Sequence, residues 1–150
     1  MSIKIQDTIE RTVVAKAPIE RVYRAIATSD GLATWFPKSV KGEIAPGKSA
    51  VFCFEGCGDC SVYIVSAEPH TYFAYRWIPG SAGTVIGDVL SVPNTLVEFR
   101  LHEVDEGTRI EMVESGFASL PPEVYESSLR ENTSGWDGEL AELVELFEMS

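Results

Sequence analysis

Three cysteines, Cys53, Cys57 and Cys60, are the most closely spaced reactive side chains in this sequence. A C-x2-C pair is half of a structural zinc site, which needs four ligands. The only histidines, His70 and His102, are not spaced to complete such a site. A redox C-x-x-C begins a helix near a βαβ unit, and the surrounding pattern has neither. We therefore interpret the cysteines as structural and predict no metal site, with metal or redox chemistry as the alternative.

The two histidines carry no sign of nucleophilic catalysis. His70 follows Pro69 in a predicted turn, and His102 ends a predicted strand on its outward side. A Ser/His/Asp relay requires a base positioned beside a nucleophile, and neither histidine has such a neighbour in sequence. We predict surface histidines, no catalytic constellation and no cofactor.

Glu114 is the carboxylate that we expect to point inward, because it shares strand parity with the apolar Met112. Partial desolvation there would suit it to general acid–base chemistry. The interpretation that we favour slightly is a structural carboxylate, hydrogen-bonded to Arg76 or to a tyrosine hydroxyl. Arg76 has the parity opposite to Tyr75 and Trp77, however, and is expected to face solvent.

Aromatic side chains recur at positions that face a common interior. All three tryptophans, Trp35, Trp77 and Trp136, fall on predicted inward faces. Core packing explains such residues, and so does a ligand pocket with aromatic walls and a few polar anchors. The residues that we predict to bind a ligand are Trp35, Phe73, Tyr75, Trp77, Phe99, Met112, Glu114, Asn132, Trp136 and Leu140.

The elements that must position these residues are predicted from hydrophobic periodicity. Strands are predicted over residues 3–14, 40–44, 50–55, 60–67, 72–78, 95–102 and 108–115. Short turns between the later strands favour an antiparallel meander. After the first strand, Ala17-Pro18 opens one helix, which ends at Ser29-Asp30-Gly31, and Leu32–Phe36 forms a second.

The segment 79–94 is longer than a hairpin connection needs. It mixes Gly and Pro with exposed-looking Val85, Ile86, Leu90 and Val92. A connection of this length and character favours a loop that folds over something or contacts a partner, including a second copy of the chain.

The C-terminal region carries an apolar stripe at helical spacing, from Leu129 to Phe147. Gly135 and Gly138 each weaken a helix by roughly 1 kcal/mol relative to Ala. The region is therefore predicted as either two helices, 121–131 and 135–149, or one kinked helix. Glutamates at 139, 142, 145 and 148 are expected mostly on the solvent side, and the two glycines at a kink or a close approach to the sheet.

Composition limits the partners. The net charge is −11, and residues 121–150 contain eight acids against one basic residue, Arg130. Nucleic acids and anionic membranes require clustered Lys or Arg, so neither is expected. The acidic face is interpreted as a solvated surface, with docking of a basic partner as the alternative. The length predicts one domain over residues 1–150, and the absence of a secretory signal predicts a cytoplasmic protein.

The order of elements and several short motifs together resemble the START-like (SRPBCC) superfamily, which has the α+β helix-grip fold. Within it, the chain is most similar to the subfamily named after the activator of the ninety-kilodalton heat-shock chaperone's ATPase (AHSA). The motifs that carry the resemblance are Ala17-Pro-Ile-Glu-Arg-Val-Tyr-Arg-Ala-Ile, Leu32-Ala-Thr-Trp-Phe-Pro, Thr95-Leu-Val-Glu-Phe, Gly107-Thr-Arg-Ile, Glu114-Ser-Gly-Phe and Asn132-Thr-Ser-Gly-Trp.

The resemblance implies a curved antiparallel sheet of about seven strands wrapped around a long C-terminal helix, with a deep cavity between them. It does not imply one activity, and three hypotheses stay open. The cavity binds a small apolar or aromatic molecule; or the domain is a co-chaperone-like interaction module, with a homodimer through the 79–94 loop as a related possibility; or Glu114 serves a cyclase- or hydrolase-type enzyme. We favour the first.

Overall fold

A computed structural model describes residues 6–54, 58–79 and 88–148 of the chain. Its strands are β1 Thr8–Ala15, β2 Ser39–Lys41, β3 Ser49–Phe54, β4 Gly58–Glu68, β5 Tyr72–Trp77, β6 Thr95–Val104 and β7 Gly107–Ser115. Its helices are α1 Ile19–Ala27, α2 Ser29–Leu32 and α3 Pro122–Glu148, with short 3₁₀ turns at Val89–Ser91 and Phe117–Ser119.

The seven strands form one antiparallel sheet in the order β1-β7-β6-β5-β4-β3-β2. Strands β2 to β7 are a meander, as the short turns predict, and β1 joins its end by pairing with β7. Gly107, at φ +142°, lies against this junction, and a Cβ there would come 2.2 Å from the Ala15 carbonyl oxygen. The turn between β6 and β7 therefore requires glycine.

The two helices after β1 differ from the prediction in their boundaries. The second helix occupies Ser29–Leu32 instead of Leu32–Phe36. Thr28 separates α1 from α2: its hydroxyl donates to the Arg24 carbonyl and accepts from the Gly31 N–H. The Ser29-Asp30-Gly31 segment looks like a helix stop, but with this cap it begins the next helix.

Helix α3 runs without a break from Pro122 to Glu148, so the two-helix alternative is wrong. Its stripe of Trp136, Leu140, Leu143 and Phe147 is buried, and burying an apolar face stabilises a helix more than propensity does. The close approach to the sheet expected at the two glycines is also wrong. A Cβ on Gly135 or Gly138 would meet no atom within 4 Å, so neither glycine marks a close approach to the sheet.

The core lies between the concave face of the sheet and α3, and it is dominated by aromatic rings. Ring contacts link Phe36, Phe52, Tyr75, Trp77 and Trp136, with centroids 5.3–6.0 Å apart. These mostly tilted and edge-on contacts follow the preferred geometry of aromatic pairs. The rings interlock along the middle of the fold.

The predicted loop 79–94 is described only in part. Residues 80–87, which include Val85 and Ile86, lie outside the described residues, as do residues 3–5 of the predicted first strand. In the described part, Leu90 and Val92 are 49% and 36% exposed, while Val89 is buried. No helix in the described ranges is long and apolar enough to cross a membrane.

Candidate functional site

Glu114 lies near the end of β7 with its side chain fully buried against α3. Its carboxylate accepts hydrogen bonds from the Trp77 indole N–H at 2.8 Å and the Thr95 hydroxyl at 2.6 Å, both at Oε2. The Trp136 indole N–H reaches Oε1 at 2.8 Å. The Asn132 amide lies 2.9 and 3.1 Å from the two oxygens. The inward parity predicted for Glu114 holds, because alternate residues of β7 face the core.

These donors come from three elements and fix the helix to the sheet, because the carboxylate that they share lies on a fourth element, β7. Trp77 ends β5, Thr95 begins β6, and Asn132 and Trp136 are four residues apart on one face of α3. A carboxylate has about four lone-pair positions, and the described donors fill them. The hydrogen bonds of Glu114 therefore hold α3 against the sheet.

The hydrogen-bond partners expected for Glu114 were wrong. Neither Arg76 nor a tyrosine hydroxyl bonds to it: Arg76 donates to Asn94 Oδ1 at 3.0 Å instead. This follows from the parity of β5, which turns Arg76 away from the face that carries Trp77. None of the donors on Glu114 is titratable, so no proton relay with a second acid or base is formed at this carboxylate by the described side chains.

Beside this cluster, a pocket of about 250 Å³ opens between α3 and strands β3 to β5. Its walls are mainly aromatic or apolar, with two carboxylates and one amide. The residues that line it are Phe36, Phe54, Cys60, Trp77, Ile78, Pro79, Glu131, Asn132, Gly135, Trp136 and Glu139. The volume corresponds to about eight water molecules at roughly 30 Å³ each.

Glu139 is the polar residue of this pocket that lacks its full set of partners. Its Oε2 is buried and, in the part of the chain described, accepts no hydrogen bond. Burial, with the charge of Glu142 one turn on, raises the pKa of Glu139 to about 7. The expectation that Glu139 faces solvent is thus corrected: Gly135, one turn earlier, has no side chain to cover it, so Glu139 lines the space that this leaves.

Tyr75 lies behind the same wall and is fully buried, with no hydrogen-bond partner for its hydroxyl among the described residues. Burial raises the pKa of this phenol well above its usual value, and the charges of Glu114, Cys60 and Glu139 add to the effect. The hydroxyl therefore stays protonated at ordinary pH. Tyr75 does not line the pocket, and its burial is the main cause of the raised pKa of its hydroxyl.

The structure brings together only part of the ligand-binding set that the sequence predicts. Trp77, Asn132 and Trp136 line the pocket, and Glu114 lies behind them as their hydrogen-bond acceptor. The remaining residues do not line it, because interlocked rings and side chains occupy the space beneath the middle of α3. They are buried core residues: Trp35, Phe73, Tyr75, Phe99, Met112 and Leu140.

Sequence reasoning missed Phe36, Phe54, Gly135 and Glu139 as pocket residues. The signal for Gly135 was present, since a glycine beside an inward tryptophan removes a side chain from the wall. The signal for Glu139 was its place three residues after Trp136 on the same helix face. Phe54 gave no such signal, because its role depends on how β3 curves toward the helix.

Most of the cysteines and histidines considered in the sequence lie away from this pocket, and Cys60 is the exception among those described. Cys60 is buried and lines the pocket, Cys53 is half-buried, and Cys57 lies outside the described residues. His102 lies 2.8 Å from Glu111 on the outer face of the sheet, and His70 is exposed. In the described ranges, no three His, Cys, Asp or Glu side chains are grouped so that they could hold a metal ion.

A curved antiparallel sheet closed over a long C-terminal helix, with short helices after the first strand, defines the helix-grip class of α+β domains. The sequence profile of the family described as "Activator of Hsp90 ATPase homolog 1-like protein" matches residues 16–148. The chain therefore belongs to this family, and the subfamily resemblance is confirmed. A comparison with curated proteins finds no match.

Solved structures agree on the fold. The protein MLL2253 from Mesorhizobium loti is 19% identical with a TM-score of 0.76, covering 95% of this chain and 98% of that one. The Aha1 dimer from Colwellia psychrerythraea is 21% identical with a TM-score of 0.73, covering 95% and 97%. DynU16, encoded in the dynemicin biosynthetic locus, is 20% identical with a TM-score of 0.75 over 95% of this chain and 48% of its own length.

Proposed function

We propose that this domain binds a small, largely aromatic or apolar molecule in the pocket walled by Trp77 and Trp136. The observation that carries the proposal is the pocket itself. In a core whose rings otherwise interlock, about 250 Å³ is left open, and Gly135 lines it where a Cβ would meet no atom within 4 Å. Aromatic walls with few polar groups are the usual composition of a small-molecule site.

The size of the pocket limits the ligand. It lies just below the ~300–1,000 Å³ that is usual for sites of drug-sized molecules. One ring with a short substituent fits, whereas a long acyl chain or a fused multi-ring molecule does not. The saturated hydrogen bonds of Glu114 support binding over acid–base catalysis, because its lone pairs are already occupied.

Intrinsic tryptophan fluorescence tests the proposal, since two of the three tryptophans line the pocket. Titration with small aromatic compounds should change the emission and saturate, and Gly135→Leu should abolish that change by filling the pocket. The matched control is Gly138→Leu, on the same helix and equally open to a new side chain but not part of the lining. If both variants bind like the parent chain, or if no compound saturates, the proposal is wrong.

Family membership supports a second function, an interaction module of the co-chaperone kind. The surface that would serve it is the exposed face of α3, which carries Glu123, Glu126, Glu142, Glu145 and Glu148. A pull-down with the middle domain of the ninety-kilodalton heat-shock chaperone tests this, in low and high salt. Association that weakens with salt supports docking through this face, and no association at micromolar concentration counts against it.

The Colwellia protein was solved as a dimer, which suggests self-association as a further possibility to test for this chain. In this chain the described surface near the 79–94 loop offers Leu90 and Val92 as exposed apolar residues. Sedimentation of the parent chain and of Leu90→Ser would test a dimer through that region. A parent chain that sediments as a monomer at every concentration would exclude it.

A further inference from the structure

We infer that the ligand of this pocket is a cation: a protonated amine attached to a single ring, of roughly eight to ten non-hydrogen atoms. The inference rests on the proposed small-molecule function and names the chemical class of the ligand. Four features of the pocket carry it.

The first feature is the unsatisfied oxygen of Glu139. A buried acceptor without a donor costs free energy that a ligand N–H can recover. The Oε2 atom of Glu139 is in this position on the wall of an open pocket. An ammonium group supplies the missing donor and the opposite charge together, whereas a neutral ring supplies neither.

The second feature is the direction of the N–H groups in the walls. Three lining side chains in the described ranges carry N–H groups, Trp77, Asn132 and Trp136, and all three donate to Glu114. The positive edge of each indole is thereby paired with a carboxylate behind the wall. A ligand anion finds no indole N–H left to bind.

The third feature is the aromatic surface. Phe36, Phe54, Trp77 and Trp136 line the pocket together. A cation within about 6 Å of such ring faces is attracted by their quadrupoles, most strongly over tryptophan. The negative charge of Glu114, held at the N–H edges of both indoles, adds to this attraction.

The fourth feature is the sign of the charges. Among the described residues, no lysine, arginine or histidine lines the pocket, while Glu131 and Glu139 do. Among the described residues, the ionisable groups whose charges act on Glu139 or on the neighbouring Tyr75 are Glu142 on α3, Cys60 on β4 and Glu114 on β7. None of them is a cation, so the local field favours a positively charged ligand.

Three probes of equal ring size test the inference: benzylamine, benzyl alcohol and benzoate, titrated at pH 8 by tryptophan fluorescence and calorimetry. Benzylamine should bind about tenfold or more tighter than benzyl alcohol, because it adds a charged hydrogen bond and cation–π contacts. Benzoate should not bind. Equal affinity for the amine and the alcohol overturns the cation inference and leaves the small-molecule function standing. Failure of all three probes and of a broader set of neutral rings overturns both the cation inference and the small-molecule function.

The variant Glu139→Gln separates the carboxylate from the ring walls. It should remove most of the preference for benzylamine over benzyl alcohol. The control Glu145→Gln removes an exposed carboxylate two turns on from the same helix and should leave both affinities as they were. An unchanged preference in Glu139→Gln overturns the role of this carboxylate.

A pH series gives an independent readout. Glu139 must be ionised to attract the amine, and its pKa of about 7 places that change near neutrality. Benzylamine stays protonated at both pH 6 and pH 8, like the lysine side chain. Its affinity should therefore fall up to about tenfold from pH 8 to pH 6 in the parent chain and stay constant in Glu139→Gln. A flat profile in the parent chain contradicts the inference.

Discussion

Two glutamates lie beside the same aromatic cluster but differ in how fully their carboxylates are hydrogen-bonded. Glu114 is fully buried and accepts hydrogen bonds from two indoles, a hydroxyl and an amide. Glu139, which lines the pocket from α3, is half-buried, and one of its oxygens has no partner in the described part of the molecule. Of the two, Glu114 is the one whose hydrogen bonds connect elements of the fold.

The comparison shows that the hydrogen bonds of a carboxylate, together with its burial, distinguish a structural role from a role in binding a ligand. A buried carboxylate surrounded by donors is stabilised where it is, and removing it leaves several donors unpaired. A partly buried carboxylate with an open lone pair beside a pocket retains capacity for another molecule. Depth of burial alone would have selected Glu114 as the reactive residue, and hydrogen-bond satisfaction selects Glu139.

The largest change in the free energy of unfolding is expected from Glu114→Gln. The new amide has one acceptor oxygen and places N–H groups against the existing donors, so several buried donors lose their partner. Unfolding by urea should show a loss of about 3 kcal/mol or more. Glu111→Gln, on the outward face of the same strand, is the control and should cost less than about 1 kcal/mol. Similar losses for the two variants would contradict the structural role of Glu114.

A smaller effect is expected from Trp136→Phe, which removes one of the donors on Glu114 and keeps an aromatic ring. Loss of a hydrogen bond to a charged group costs about 1.5–3 kcal/mol. Trp35→Phe is the matched variant, because its indole donates to the neutral Ala25 carbonyl at 2.8 Å, a bond of about 0.5–1.5 kcal/mol. If Trp35→Phe costs more than Trp136→Phe, the charge on Glu114 does not strengthen its bonds.

The smallest change is expected in the pH dependence of stability, through the ionisation of Glu139. The folded pKa of about 7 lies above the ordinary value of 4.5. As pH rises from 4.5 to 7 the unfolded chain releases a proton that the folded chain keeps, so this residue lowers stability across that window, and its effect is constant above it. Glu139→Gln should therefore gain stability relative to the parent chain between those pH values. Solvent screening limits the gain to about 1 kcal/mol, or ~2–4 °C in Tm.

Thermal unfolding from pH 4 to pH 8 measures this difference, with the exposed Glu145→Gln as control. The control measures the general effect of removing one carboxylate from this helix. A Glu139→Gln difference that changes no more across the window than that of the control would show that burial does not perturb Glu139, and would remove the contrast between the two carboxylates.

Much of the fold was predictable because periodicity survives in the sequence. Alternation along residues 72–78 and 95–102 gave β5 and β6 to within a residue or two, and the inward faces of β7 and α3 followed from the same patterns. The boundary of α2 was not predictable, because the Thr28 side chain bonds to α1 and α2 together. The continuity of α3 was missed because tertiary burial outweighs the cost of two glycines.

By itself, the sequence determined the order and type of elements, the family and the inward parity of Glu114, since each depends on local spacing. Only the tertiary structure decided which aromatics fill the core and which line a pocket, because that depends on how β3, β5 and α3 approach one another. It also decided the bonding of the two glutamates. The donors on Glu114 come from residues 18 to 37 positions away in sequence, and the open side of Glu139 depends on what lies across the pocket from it.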